Sequence, residues 1–526
     1  MRRRLLGLEV PLGQPLDVEA LKVLLARALA LRIEAIEDLR VVRRSLDARK
    51  GRRCPVWVLA LDLRLKERPG RMPPGLRLEA VPPAPSPLPA PSPSLGGLRA
   101  VVVGSGPAGL FAAEALLLRC AAVTVLEQGP PLPQRVAAVK DLWRLGSLHP
   151  DANVQFGEGG AGTFSDGKLT TRIKDDLRFE VLRRFVAAGA PQEILEEAHP
   201  HLGTDGVRRV VQNLRRQLEE RGARFSFRET LRRLERREAG WRLETSSGEV
   251  DADLVVLAVG HSSRRLFRHL LDLGLPVRPK GFAVGVRVEH PQEWVDGRQY
   301  GRFAGHPELP PAEYFLTYKD LPTGRGVYSF CMCPGGLVVN SSSEEGRLVT
   351  NGMSMSHRAS GFANAGIVVT VFPGDFGEDP RRGLSFQEEL EARGFLQGGG
   401  DYFAPAQSVR AFLEDRADEG PLRTTFRPGV RPANLRGFFP PWVEEPLLRA
   451  LVHFDRRMPG FVEKGTLLWP ETRTSSPFQV LRGESGESPG FPGLLLVGEG
   501  AGWSGGIVSS AVDGWRTVER YAGARG

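Results

Sequence analysis

The sequence predicts an α/β protein with three parts: a Rossmann-like dinucleotide-binding domain on a parallel sheet, an inserted β-rich substrate domain, and a small N-terminal α+β domain. Three observations carry this expectation. An apolar strand runs into a glycine-rich turn and a helix within 98–129, strand-like runs alternate with polar loops over 276–466, and a Pro/Ser tract cuts off the first part of the chain. The expected boundaries are 1–80 for the N-terminal domain, 81–97 for a linker, 98–275 for the first part of the dinucleotide domain, 276–466 for the substrate domain, and 467–526 for the returning segment.

In the N-terminal unit, residues 5–10 read as a strand, and Asp17 is placed to N-cap a helix whose Leu21, Leu24, Leu25, Ala28 and Leu29 form one apolar face. Two further strands, 39–42 and 56–61, flank the basic turn 49–53, which reads as a solvated hairpin loop. No chemistry is visible in this unit. A docking or regulatory role is expected, with a protein partner that the residues do not identify. The tract 81–97, rich in Pro and Ser, has little surface to bury and reads as a stiff tether.

The dinucleotide reading rests on order and spacing. A valine-rich strand over 100–103 stops at Gly104-Ser105-Gly106-Pro107-Ala108-Gly109, a helix follows, and a second strand over 123–126 ends at Glu127. Gly104 permits the tight turn, Gly106 admits backbone close to a pyrophosphate, and Gly109 lets helix and strand pack closely. The helix N-terminus supplies N–H groups to the phosphates, and Glu127 stands where a carboxylate meets ribose hydroxyls. Beyond it, Arg135 and a helix lead into 153–172, whose five glycines over 157–167 form a loop that lets backbone approach a flat or anionic ligand. A helix and strand over 205–227, strands 241–245 and 253–259, and a late strand over 494–497 return the chain to the same sheet. The last ends in a second glycine cluster and a helix from Ile507.

Composition narrows the function classes. At 526 residues, 41% hydrophobic and 25% charged, the chain suits a multi-domain globular protein. Its net charge of +9 comes from Arg spread along the chain among acids, which argues against a nucleic-acid stripe. Glu114 and Arg119 interrupt the longest apolar run, so no membrane span is expected. The first residues carry too short an apolar run for a secretory signal, and the cytoplasm is the default expectation. Cys54, Cys120, Cys331 and Cys333 are too few for a disulfide framework, and Cys54 and Cys120 are expected to be buried and inert. No set of residues has zinc-ligand spacing, so no metal is expected.

These residues resemble the FAD-dependent oxidoreductases of the glutathione-reductase-like superfamily, through Gly104/Gly106/Gly109, Ala258-Val259-Gly260 and Gly498-Glu499. The last pair usually carries Asp, and Glu499 adds a methylene. The chain is more closely similar to a bacterial family of FAD-dependent, or NAD(FAD)-utilising, dehydrogenases. The pieces that carry this are SLDARK, GEGGAGTFSDGKL, GFAVGVRVEHPQ, CMCPGGLVVNSSSEEGRLVTNGMS, RTSSPFQVLR and GEGAGWSGGIVSSAVDG. The resemblance implies non-covalent FAD held by Gly104, Gly106, Pro107, Ala108 and Gly109, with Glu127, Gln128 and Arg135 beside the adenosine half. Gly159, Gly160, Ala161 and Thr163 would line the ring system. Ala258, Gly260, Gly498 and Glu499 would complete the site, and Gly505, Gly506 and Ile507 would aim helix N–H groups at the flavin.

The groups placed to act on a small-molecule substrate are Lys168, Arg172, Cys331, Cys333 and Arg473, with His357 as a further proton donor. Regular strand geometry puts the Cys331 and Cys333 sulfurs on one side, where packing competes with a redox role. Arg473 with its neighbouring hydroxyls could hold an anion or close a loop. A second GxGxxG is missing, so NAD(P)H, as electron donor, would dock without its own Rossmann domain. The expected activity is hydride exchange between flavin and an unidentified small molecule. The alternatives are a tRNA-modifying flavoprotein and a non-catalytic flavin-binding interaction protein.

Overall fold

The strand Arg99–Val103 is buried from its second residue onward, as expected of a strand covered on both faces. It lies in the middle of a six-stranded sheet in the computed structural model, which describes residues 2–49, 52–70, 72–83, 92–377 and 379–525. Residues 84–91 of the expected tether lie outside these. Arg99–Val103 pairs in parallel with Leu254–Leu257 on one side and Ala122–Glu127 on the other. Phe491–Leu496 and Arg224–Phe227 extend the sheet outward, again in parallel. Strands from three separated parts of the chain are therefore neighbours, and their carboxyl ends open on the same edge.

Helices cover both faces. Pro107–Leu118 is apolar almost all round, and residues 108–116 are all buried. It packs with Ile507–Arg525 around Phe111, Phe185 and Trp515. Glu114, which interrupts the apolar run, is buried and satisfied by Arg221 at 2.6 Å and Arg184 at 3.4 Å. The other face carries the three-stranded meander Leu231–Arg236, Trp241–Thr245 and Glu249–Ala252 together with the helix Arg264–Asp272.

Residues from 282 onward build a seven-stranded sheet, in the order Thr317–Lys319, Gly326–Cys333, Phe362–Val371, Phe282–Pro291, Thr466–Glu471, Ala404–Ser408, Val430–Pro432. Thr466–Glu471, which spans the expected boundary at 467, is an inner strand of this sheet, paired with Phe282–Pro291 and Ala404–Ser408. The chain leaves the sheet only after it.

The N-terminal unit is a four-stranded antiparallel sheet backed by the helix Val18–Leu29, with Asp17 accepting from Ala20 N at 2.9 Å. It docks through Arg44, whose backbone bonds Glu196 O and Ala198 N and whose guanidinium meets Glu197 at 3.0 Å.

Two expectations about cysteine are corrected. Cys120 is exposed, because it lies two residues past the end of the helix in a left-handed turn (φ +61°), and Cys54 is only partly covered. All four cysteines are free. Among the described residues no helix is long and apolar enough to cross a membrane, and no cluster of His, Cys, Asp and Glu has the makings of a metal site.

Candidate functional site

A cavity of about 1240 Å³ opens at the carboxyl ends of the central strands, where a parallel α/β sheet places its ligand. Gly104 turns the chain with φ +102°, and a Cβ there would overlap the Ala258 carbonyl. Gly106 ends the turn and N-caps the helix with no side chain to occupy the free N–H groups. A Cβ on Gly160 would come within 3.1 Å of Gly106 Cα, so the two glycines pack directly together and line one slot of the cavity with bare backbone. Gly104, Gly106, Pro107, Ala108, Gln128, Gly160, Ala161, Ala258, Gly260, Gly498, Glu499, Gly505, Gly506 and Ile507 all stand at the cavity wall. The second helix N-terminus, at Ile507, points its partial positive charge into the same space.

Glu127 is also at the wall, but its carboxylate is already engaged. Oε2 accepts from Ser105 N and Oγ at 2.9 and 2.7 Å, and Oε1 accepts from Gly129 N and Gly157 N, both at 3.0 Å. With its four lone-pair directions used in this way, Glu127 holds the two glycine loops together.

Four expected cofactor contacts stand elsewhere. Arg135 is fully buried behind the loop, not at the wall. Its guanidinium donates to the carbonyls of Asn153, Val154, Glu158 and Gly160 at 2.6–2.9 Å and to Thr163 Oγ1 at 2.6 Å. It satisfies carbonyls that an irregular glycine-rich segment leaves without sheet or helix partners. Gly159 and Thr163 pack behind the wall with it, since a Cβ on Gly159 would overlap the Thr163 methyl group. Gly109 sits where the helix crosses the strand, and a Cβ there would overlap Gly104 O.

Of the substrate-side candidates, the structure brings Lys168, Cys331 and Arg473 to the cavity. Lys168 Nζ donates to Met332 O and faces Glu313 at 3.3 Å and Asp166 at 3.7 Å. Asp166, 1% exposed, also bonds Ser354 Oγ and meets Arg358 at 3.0 Å and His201 at 3.4 Å. Burial pushes its carboxyl up, but the His201 hydrogen bond and the charges of Arg358 and Lys168 outweigh that and hold it well below the usual range. Arg473 forms a bidentate pair with the fully buried Glu391 and donates to Ser262 and Ser343. Glu391 takes a second bidentate pair from Arg264, both bonds at 2.7 Å. Arg473 is therefore bound into an internal network rather than free to seize an anion.

Three candidates lie outside the cavity. Arg172 and His357 are exposed on loops, and Cys333 is buried one layer behind Cys331.

The structure adds residues the sequence did not single out. His261, 9% exposed at its side chain, faces Glu499 through Nδ1 at 3.3 Å, while its Nε2 is buried without a partner. Asp166 could have been found as one of the two acids, with Glu158, within the glycine-rich loop. Arg264 and Glu391 carry no such signal, because their contact spans 127 positions.

Comparison with known proteins agrees with this site. Residues 281–474 match the model of the FAD-dependent protein, C-terminal domain-like family, and residues 144–283 match that of the flavin containing amine oxidoreductases. Residues 1–59 match a domain of unknown function. An uncharacterized protein of Clostridium beijerinckii is 44% identical over 426 residues, 80% of each chain. A D-amino acid dehydrogenase of Neisseria meningitidis is 37% identical over 93 residues, 17% of this chain and 22% of that one. Glycine oxidase from Geobacillus kaustophilus aligns at 13% identity over 80% of this chain and 95% of its own, with a TM-score of 0.31, too slight a likeness to bear on function. The bare-backbone slot and the two helix N-termini suit a flavin dinucleotide, and FAD is the cofactor these families share. The chain belongs to the same family as the Clostridium beijerinckii protein and is an FAD-dependent oxidoreductase.

Proposed function

We propose that the chain exchanges a hydride between its FAD and a small carbon–nitrogen substrate, an amine or an amino acid. One observation carries the site: three separated segments converge on one cavity that has a bare-backbone slot in one part and the Lys168–Asp166–Cys331 wall in another. The substrate class is supported by the match of residues 144–283 to the amine oxidoreductases and by the short stretch shared with a D-amino acid dehydrogenase. The convergence of strands from residues 99, 254 and 491 in one parallel sheet supports the glutathione-reductase-like layout.

In this reading Gly104, Gly106 and Gly160 give backbone room to the pyrophosphate. Gln128 and the backbone at 228–231 border the adenosine end, and Ala161 and Gly505–Ile507 border the ring. The flavin supplies hydride transfer when bound. The residues of the chain hold it and tune it. The helix N-terminus at Ile507 favours the negative charge of the reduced ring. Lys168, kept charged because Glu313 and Asp166 outweigh the cost of its burial, adds a fixed cation beside the same wall.

Anaerobic mixing with D- and L-amino acids, primary amines, NADH and NADPH tests the proposal. Loss of the oxidised flavin absorbance with one of the amines or amino acids, in the absence of nucleotide, is the expected result. Bleaching by NADH or NADPH alone would make the chain a pyridine-nucleotide-driven reductase and overturn the substrate class.

A further inference from the structure

Cys331 and Cys333 close the strand Gly326–Cys333, and there the pairing with Phe362–Val371 slips between Phe330 and Cys333. The slip is a bulge, a device that re-aims side chains beside functional sites. Cys331 adopts a left-handed backbone at φ +44°, a conformation that is strained for a residue with a Cβ. Arg287 holds it there. Its side chain is fully buried, Nη2 donates to Cys331 O at 2.7 Å, and Nη1 pairs with Glu471 at 3.0 Å.

The bulge corrects the regular-strand picture of the two thiols. In an even strand their Cα atoms would stand about 6.6 Å apart, near the outer limit for a disulfide; the bulge and the left-handed turn at Cys331 break that even spacing. Cys333 Sγ donates toward Cys331 O at 3.3 Å. Cys331 is at the cavity wall, and Cys333 is wholly buried behind it. Between them the Met332 carbonyl accepts from Lys168, so the thiol turn is fastened to the glycine-rich loop that forms the opposite part of the wall.

We propose that Cys331 and Cys333 form a dithiol–disulfide couple that exchanges an electron pair with the FAD across this wall. The proposal rests on the cavity being the flavin site. The two thiols are differentiated as such a couple requires. The neighbouring Cys333 thiol, aided by the charges of Arg287 and Lys168, outweighs burial and draws the Cys331 thiol below its ordinary range. The neighbouring Cys331 thiol and burial push Cys333 up, so Cys333 keeps its proton. On oxidation two S–H bonds break and one S–S bond forms. The electron pair passes with one proton to the oxidised flavin, and the second proton leaves to water in the cavity. The reverse step opens the disulfide.

Two readouts on the FAD-loaded protein, oxidised with diamide and freed of reagent, test this. In an anaerobic dithionite titration the wild type is expected to take up about four electrons per FAD, and the Cys331→Ser and Cys333→Ser variants about two, since a disulfide is a two-electron couple. Mass analysis after alkylation under denaturing conditions is expected to show Cys331 and Cys333 blocked in the wild type while Cys54 and Cys120 are labelled. Uptake of about two electrons by the wild type, with all four cysteines labelled, overturns the couple and leaves the flavin site standing. A protein that holds no FAD overturns the site itself. A disulfide that closes but adds nothing to the titration overturns exchange with the flavin.

Discussion

Glu391 lies between two arginines, and none of the three groups faces water to any extent: Glu391 is 0% exposed, Arg264 1% and Arg473 6%. Burial alone would raise the Glu391 carboxyl. The charges of Arg264 and Arg473 outweigh it and hold the carboxyl well below its usual range. The cluster is stable as a unit, because removing one partner of a buried ion pair strands the others out of water. Glu391→Gln keeps the shape but leaves two guanidiniums short of a charge, and roughly 3–5 kcal/mol of stability should be lost, read as a lower urea midpoint with unchanged slope. At this scale the sequence is a partial guide. It marks Arg473 and Arg135 as cations worth attention, but it cannot aim them: the Glu391 partner is 82 positions from Arg473. Arg135 turns its guanidinium into the loop, where it donates to six loop oxygens.

The elements that frame the cavity depend on close approach. The helix Pro107–Leu118 crosses the strand Arg99–Val103 at Gly109, with Gly104 O directly beneath. Gly109→Ala places a methyl group on that oxygen, where only backbone movement could relieve it, and about 1–3 kcal/mol of stability should be lost. A shift of the helix N-terminus would weaken FAD binding at the same time, and a fluorescence titration with FAD checks that. Elements of this kind are legible in advance, since buried parallel strands read as apolar runs and Asp17 announces its helix. The bulge at Cys331 is not. Alternation of side chains is the only local rule available for a strand, and it is Arg287, 44 positions away, that fixes the exception. The same holds for Thr466–Glu471, whose place inside the seven-stranded sheet is set by pairing with Phe282–Pro291 rather than by its own composition.

At the scale of the molecule, the cavity assigned to the flavin exists only because chain segments near residues 104, 160, 260 and 500 come together. The β-rich part reaches the cavity through Cys331, the segment 343–347, Asn351 and Arg473, and is tied to the dinucleotide part by direct bonds from Lys168 to Met332 O and from Arg473 to Ser262. Closure of the site is thus a property of both parts together. Among the described residues the N-terminal unit lines no part of the cavity: it rests on residues 196–198 through Arg44 and on Glu308 through Gly13 and Trp57.

Gly106 tests the whole arrangement most directly. Its backbone is ordinary (φ −72°), and an added Cβ would meet nothing nearer than Gly160 Cα at 3.8 Å. Gly106→Val should therefore fold, while its side chain fills the slot assigned to the pyrophosphate. The measurement is FAD content per folded chain by absorbance, with circular dichroism confirming the fold. The account predicts native secondary structure and loss of nearly all bound FAD. A folded Gly106→Val protein that keeps FAD at the wild-type ratio would show that the cofactor lies elsewhere, and would contradict the account.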